Sequence, residues 1–375
     1  MSKLKYAVLI LLISSAALLH ADGIAKYLDS DGDCYFHVRR KASAQSLHPA
    51  DQSRYRQVFR SILTDAGFDS LGGFGASSIR LDNGYCRNRI FFQEKPSAEK
   101  TRYLCWNLMN GTQADIREQA SIFPEDSIAA GLWQIDFARI LTFAKEQFAK
   151  YGRQEMLGAI RTMGNIMRKC GFEPAQVFDS YAGTIGYAAV TDAGAEHSWI
   201  PFSSALYIKC RDNRIFRMFA DKLPSILTRA VEKQKGNAAY VIPLPFTRFA
   251  FCFAYSRNYV VFASSVPMME KVFTALTGGK SLASNDTFLK LAANLPGKGN
   301  SFFYSSGNIR TIFKNTSRYP EWFINVFLPC LAFAPEKEKL IQVTRTSDGI
   351  LRQEILVVSD QWLVVSGQWL VVSGQ

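Results

Sequence analysis

Several short stretches carry residue types that do chemistry elsewhere. Asp29-Ser30-Asp31-Gly32-Asp33 sets three carboxylates at alternating positions, as at the start of an EF-hand-type calcium loop built from hard oxygen ligands. The pattern then breaks, because Cys34 and Arg40 stand where the loop needs glycine and a bidentate glutamate. Ser97-Ala98-Glu99-Lys100 fits the S-x-x-K arrangement, in which lysine helps to activate a nucleophilic serine. Gly279-Lys280-Ser281 matches the end of a phosphate-binding loop, but Thr274 occupies the earlier glycine position and the preceding segment is helical in pattern. His197, beside Glu196 and Trp199, is the best single general base or ligand, although a lone loop histidine is ordinarily solvated. Gly72-Gly73-Phe74-Gly75 offers backbone amides to an anion without G-x-G-x-x-G spacing, so flexible entry into a strand is the simpler use. Neither H-E-x-x-H nor G-x-S-x-G occurs, and no cofactor or metal is expected.

The chain also echoes itself. Arg87-Asn88-Arg89-Ile90-Phe91-Phe92, followed by Pro96 and Glu99-Lys100, recurs as Arg257-Asn258-Tyr259-Val260-Val261-Phe262, followed by Pro267 and Glu270-Lys271. Pro124 precedes Asp136-Phe137 and Ile140-Leu141 at the distances that separate Pro296 from Asn308-Ile309 and Ile312-Phe313. Met268-Met269-Glu270-Lys271 holds the place of Ser97-Ala98-Glu99-Lys100 and has no nucleophile, so a proline-led helix start accounts for both. The turn Leu28–Asp33 before Cys34–Val38 reads as a third polar turn feeding a buried strand, like Phe123-Pro124 and Leu295-Pro296.

The first 21 residues have the form of a secretory signal: Lys3 and Lys5, an apolar run from Tyr6 to Leu19, and Leu19-His20-Ala21 as the cleavage site. An uncleaved anchor is the rival, but the run falls short of the roughly 20 residues that a spanning helix needs. Loss of the leader lowers the formal charge from +12 to +10, which favours anionic partners such as envelope glycan or a lipid surface; no nucleic-acid partner is expected. Seven cysteines in an exported chain leave an odd thiol, no C-x-x-C occurs, and Cys86 with Cys105 is the first disulfide to test.

These residues have to be positioned by antiparallel hairpins and helices. Ser77–Leu81 and Tyr85–Gln93 flank an Asp82-Asn83-Gly84 turn, and Ile341–Arg345 and Ile350–Val358 flank Ser347-Asp348-Gly349. Helical spacing marks Ile140 to Phe148, Met156 to Met167, and a basic helix from about Asn213 to Val231, kinked at Pro224. Helix stops are expected at Ala66-Gly67-Phe68 and Cys170-Gly171-Phe172. Lys209, Arg211, Arg214, Arg217, Lys222, Arg229 and Lys233 would give that basic helix a face open to solvent or to an anionic partner. The expected fold class is α+β: two related modules of antiparallel sheet packed with helices, at 22–152 and 153–358, with an insertion near 193–246. The last heptads, 359–375, repeat Trp-Leu-Val-Val-Ser-Gly-Gln and read as a low-complexity, aggregation-prone tail.

The Leu-Pro turns before strands, the segment Gly279–Phe288 and the Leu295-Pro296 unit resemble a family of uncharacterised exported bacterial proteins whose tandem α+β modules carry a domain-of-unknown-function label. The resemblance covers 24–358 and is strongest over 181–309. It implies export and a duplicated fold, and supplies no catalytic residue. Three functions remain in view: a non-enzymatic envelope protein with a binding or structural role, a carrier whose apolar ligand is lined by Phe246–Phe253 and Phe302-Phe303, and a hydrolase using His197. What recurs is scaffold, so a specific role belongs to the unrepeated stretch 193–246.

Overall fold

The computed structural model describes residues 22–39, 54–95, 112–151, 162, 164–165, 168–169, 174–191, 202–221, 229–234, 237–243, 250–307 and 338–357. In chain order its elements are α1 (Asp22–Ala25), β1 (Cys34–Arg39), α2 (Arg54–Asp65), β2 (Leu71–Arg80), β3 (Tyr85–Glu94), β4 (Ala114–Asp115), α3 (Ile116–Ala120) and β5 (Ser127–Gln134). They continue with α4 (Phe137–Tyr151), α5 (Pro174–Ser180), β6 (Tyr181–Thr191), β7 (Phe202–Cys210), α6 (Arg214–Ala220), β8 (Arg229–Gln234), β9 (Asn237–Pro243) and β10 (Ala250–Ser256). The rest are β11 (Tyr259–Ala263), α7 (Val266–Leu276), α8 (Asp286–Ala292), β12 (Lys298–Gly299), β13 (Ser301–Ser306), β14 (Glu338–Arg345) and β15 (Gly349–Val357).

Thirteen strands form one antiparallel sheet in the order β1-β2-β3-β15-β14-β13-β5-β6-β7-β11-β10-β9-β8, and β4 pairs separately with β12. The fold is α+β, with more sheet than helix. Strands from 22–152 and from 153–358 alternate within the sheet, since β15, β14 and β13 lie between β3 and β5.

Both expected hairpins form: Gly84 stands at φ 80° between β2 and β3, whereas in the second turn Gly349 lies so close to the Phe92 carbonyl that a side chain there would collide with it. Gly67, at φ 94°, follows α2 as a left-handed stop, and its N–H donates to the Thr64 carbonyl at 2.9 Å. The second expected stop, at 170–172, and the helix at Met156–Met167 lie largely or wholly outside the described residues. Pro267 sits at the start of α7 behind an Ser265 N-cap, and Gly278 ends that helix, so Gly279-Lys280-Ser281 follows a helix rather than a strand. Its counterpart at 96–100 lies outside the described residues.

Three sequence expectations are corrected. Arg257 and Asn258 form the β10–β11 turn, at φ 47° and 64°, whereas Arg87 and Asn88 lie inside β3 opposite Ile79 and Ser78, so the two Arg-Asn pairs are not equivalent in place. β1 is an edge strand with Phe36 and Val38 exposed, not a buried one. The basic helix stops at Ala220, and Arg229–Gln234 is a strand paired with β9. Helical apolar spacing suggests one helix, but a proline within it offers no N–H to the ladder and disfavours helical backbone before it; Pro224 itself lies outside the described residues, and pairing with β9 makes Arg229–Gln234 a strand.

The core lies on the sheet face covered by α7, α8 and α3. The registers put Ile355, Leu340, Tyr304, Ala130, Ala188, Ala205, Ala263, Cys252 and Val241 in one row across nine strands, and all nine are buried. Alanines dominate the middle of the row, leaving room for the Met268, Val272 and Leu276 side chains of α7 to fill the layer above. The next row begins apolar, with Val261, Tyr207 and Leu132, and becomes polar at Gln342, Gln353 and Arg89.

Candidate anion-binding surface

Two groups of cationic side chains occupy opposite halves of the sheet. On the β3 half, Arg87 and Arg89 share the core face because they are two residues apart on one strand. Asp29, in the loop after α1, meets both: Arg87 donates from Nη2 to Oδ1 at 2.6 Å and from Nε to Oδ2 at 3.2 Å, and Arg89 donates from Nη1 to Oδ1 at 2.9 Å. Arg89 Nε donates to Gln353 Oε1 at 3.0 Å, and the Asp29 N–H donates to Ser77 Oγ at 2.9 Å. Burial pulls the Arg89 guanidinium below its ordinary value, with Asp29 opposing and Arg87 adding to the shift. The first carboxylate of the calcium-like loop is thus engaged by two guanidiniums, and Asp33 Oδ2 accepts the Arg80 N–H at 3.1 Å. Gly75, from the glycine-rich stretch, lies within β2, where a side chain would run into Leu28 and Ile24 at less than 3 Å; its use is close packing.

The other group stands where β7 ends. The Cys210 N–H donates to the Asn258 carbonyl and the Arg211 N–H to the Ser180 carbonyl, each at 2.7 Å, which joins the ends of β7, the β10–β11 turn and α5. Asp212 then precedes α6 and its Asn213 N-cap. Its carboxylate accepts from Ser180 Oγ at 2.6 Å, from the Arg214 N–H at 3.0 Å and from Arg214 Nε at 2.8 Å; these bonds, led by Ser180, hold it below the usual aspartate value. α6 is anchored by Ile215 and by rings: Phe219 packs edge-on against Phe262 at 5.2 Å, and Phe216 meets Tyr240, Phe253 and Tyr255.

With its apolar side held down, the segment turns Arg211, Arg214 and Arg217 to solvent, and Lys209 is exposed beside them on β7. Arg257, which sequence reasoning missed, joins this end of the sheet and lies beside Gly278, past the C-terminus of α7 where helix carbonyls favour a cation. Lys209, Arg217 and Arg257 engage no carboxylate among the described residues. Asp179, Asp212 and Asp221 are the nearby acids, so five cations face three anions.

Of the other expected contributors, Lys233 lies near the β8–β9 turn on this same edge of the sheet. β8 stands four strands from β7, about 19 Å at the usual strand spacing. Arg229 is at the far end of β8, opposite Val241. Lys222 and His197 lie outside the described residues, as does Cys105. Cys86 carries a free thiol 3.2 Å from Ser78 Oγ, raised in pKa chiefly by burial. Of the phenylalanines expected to line a ligand cavity, Phe302 packs edge-on against Phe123 and Phe288, Phe303 stacks on Trp133, Phe253 is fully buried against Tyr240, and Phe251 is 38% exposed. Phe246 lies outside the described residues.

No family model, curated protein or solved structure matches the chain.

Proposed function

We propose that this chain is an exported, non-enzymatic protein of the cell envelope that binds an anionic surface through the crest of Lys209, Arg211, Arg214 and Arg217. The observation that carries this proposal is the gathering of exposed cations from β7, α6 and the β10–β11 turn at one end of the sheet, on a segment whose apolar side is already spent on the core. A cationic crest raises the local concentration of anionic partners, and its contacts weaken with salt because they are solvent-exposed. The basic balance of the whole chain and the signal-like leader support the location. Incubation of the protein with anionic vesicles, zwitterionic vesicles and an immobilised anionic polysaccharide tests the proposal. Binding to an anionic phase that falls as salt rises is expected; equal retention by zwitterionic vesicles, or none by any phase, contradicts it.

We further propose that the scaffold arose by duplication, with β1–β3 and β5–β7 as one copy and β9–β11 and β13–β15 as the other. The order of the sheet supports this, because it reads alike outward from β5 and β13: β6 and β14, β7 and β15, β11 and β3, β10 and β2, β9 and β1. The register adds to it. Gly131 pairs with Phe303, 172 residues on, and Pro124 and Pro296 stand the same 172 residues apart, so a two-fold axis at that pair relates the two turns. On this view the copies exchange strands, and β8 is extra.

A further inference from the structure

The sheet has two edges, β1 and β8, and they are unlike. β8 reads Arg229-Ala230-Val231-Glu232-Lys233-Gln234, three charges in six residues, the composition that discourages pairing with another chain. β1 reads Cys34-Tyr35-Phe36-His37-Val38-Arg39, pairs only with β2 among the described residues, and has neither proline nor a bulge. Phe36 is 42% exposed and Val38 50%. Both lie on the sheet face away from α1, with Phe74 edge-on to Phe36 at 5.9 Å and Phe92, itself 39% exposed, opposite Phe74 on β3. An apolar corner therefore adjoins a row of backbone groups able to extend the ladder.

We propose that β1 is a self-association edge: two copies of the chain pair their β1 strands antiparallel about a two-fold axis at Phe36. The strand is complementary to its own reverse. Centred there, Phe36 meets Phe36 of the second copy, Cys34 meets Val38, Tyr35 meets His37, and the exposed Asp33 falls opposite Arg39. Apolar positions meet apolar ones on one face, and the ends carry opposite charges, which is what an isologous contact requires. A slip of one residue would turn Phe36 and Val38 of one copy to the opposite face from those of the other, so the register is specified. Pairing extends the apolar corner of one copy into that of the next and removes an exposed edge.

Sedimentation of the full chain up to about 100 µM tests this. A dimer is expected, and Phe36→Lys, at an exposed position, should return it to monomer with an unchanged circular dichroism spectrum. Independently, directly opposed residues bring their Cα atoms to about 4.5–5.5 Å, within disulfide reach. Val38→Cys should therefore form a covalent dimer through the native Cys34 of the second copy on mild oxidation, and adding Cys34→Ser should abolish it. A chain that stays monomeric at about 100 µM, or a dimer that survives Phe36→Lys, overturns the proposal. So does association lost on deleting 359–375, which would make the heptad tail the occupant of this edge.

Discussion

Arg87 and Arg89 on β3 and Arg211, Arg214 and Arg217 beyond β7 share a side chain but not a setting. The first pair points into the core face, closes on Asp29 and continues into Gln353, with side chains about one-fifth exposed. The second set rides on an anchored segment and faces water, and its one close carboxylate, Asp212, is largely taken up with shaping the turn into α6. Buried guanidiniums must be neutralised where they stand, because removing a charge from water costs far more than a surface ion pair returns. Exposed ones keep their hydration and their freedom to meet another anion. The difference separates arginines that hold the fold from arginines available to a partner, and sequence composition alone does not make that distinction.

The sharpest way to break the comparison is to remove Asp29. Asp29→Ala leaves two guanidiniums facing each other in the core and should cost about 3–5 kcal/mol of stability, read from urea unfolding. A loss below about 1 kcal/mol would mean that the β3 pair is as loosely held as the crest.

A second test uses the thiols, Cys210 below the crest and Cys252 in the alanine row. Burial pushes both up to about 11 from 9.0. The folded state holds these protons longer than the unfolded chain, so their contribution is intact below pH 9 and is lost as pH rises towards 11. The urea midpoint should fall across that interval, and Cys210→Ala with Cys252→Ala should flatten the fall. A pH-independent midpoint in the parent protein would place the thiols in water. The smallest effect is expected from Asp212→Asn, which leaves the Ser180 and Arg214 contacts largely in place. The urea midpoint should barely move while retention on an anionic polysaccharide increases; a collapse in stability would make this turn structural, like Asp29.

Much of the local structure was legible in the sequence because it rests on turn chemistry. Asn83-Gly84 and Gly67 announce a hairpin and a helix stop through glycines at positive φ, while Ser347-Asp348-Gly349 announces its hairpin through a glycine that lets the backbone approach Phe92. Strand order was not legible, since β3 pairs with β15 across most of the chain and β5 with β13 across 172 residues, and only the matching spacing after Pro124 and Pro296 hinted at the central pair. The arginine pair on the core face had a signal in the sequence: Arg87, Arg89 and Phe91, two residues apart on one strand, share a side, which puts arginine where a core residue belongs. At the crest, Lys209, Arg211, Arg214 and Arg217 could be read directly, but Lys233 reaches the same sheet edge by a strand rather than a helix. Arg257 was hidden by an echo that placed it within a strand.

The most direct test of the proposed function is the affinity of the full chain for an anionic polysaccharide, at fixed moderate salt, before and after Lys209, Arg211, Arg214 and Arg217 are together changed to glutamine. A fall of at least tenfold with an unchanged urea midpoint is expected, and Arg352→Gln, on β15 beside Glu354, should leave affinity as it was. Binding that survives the fourfold change, or falls equally with Arg352→Gln, would contradict the assignment of this crest as the contact.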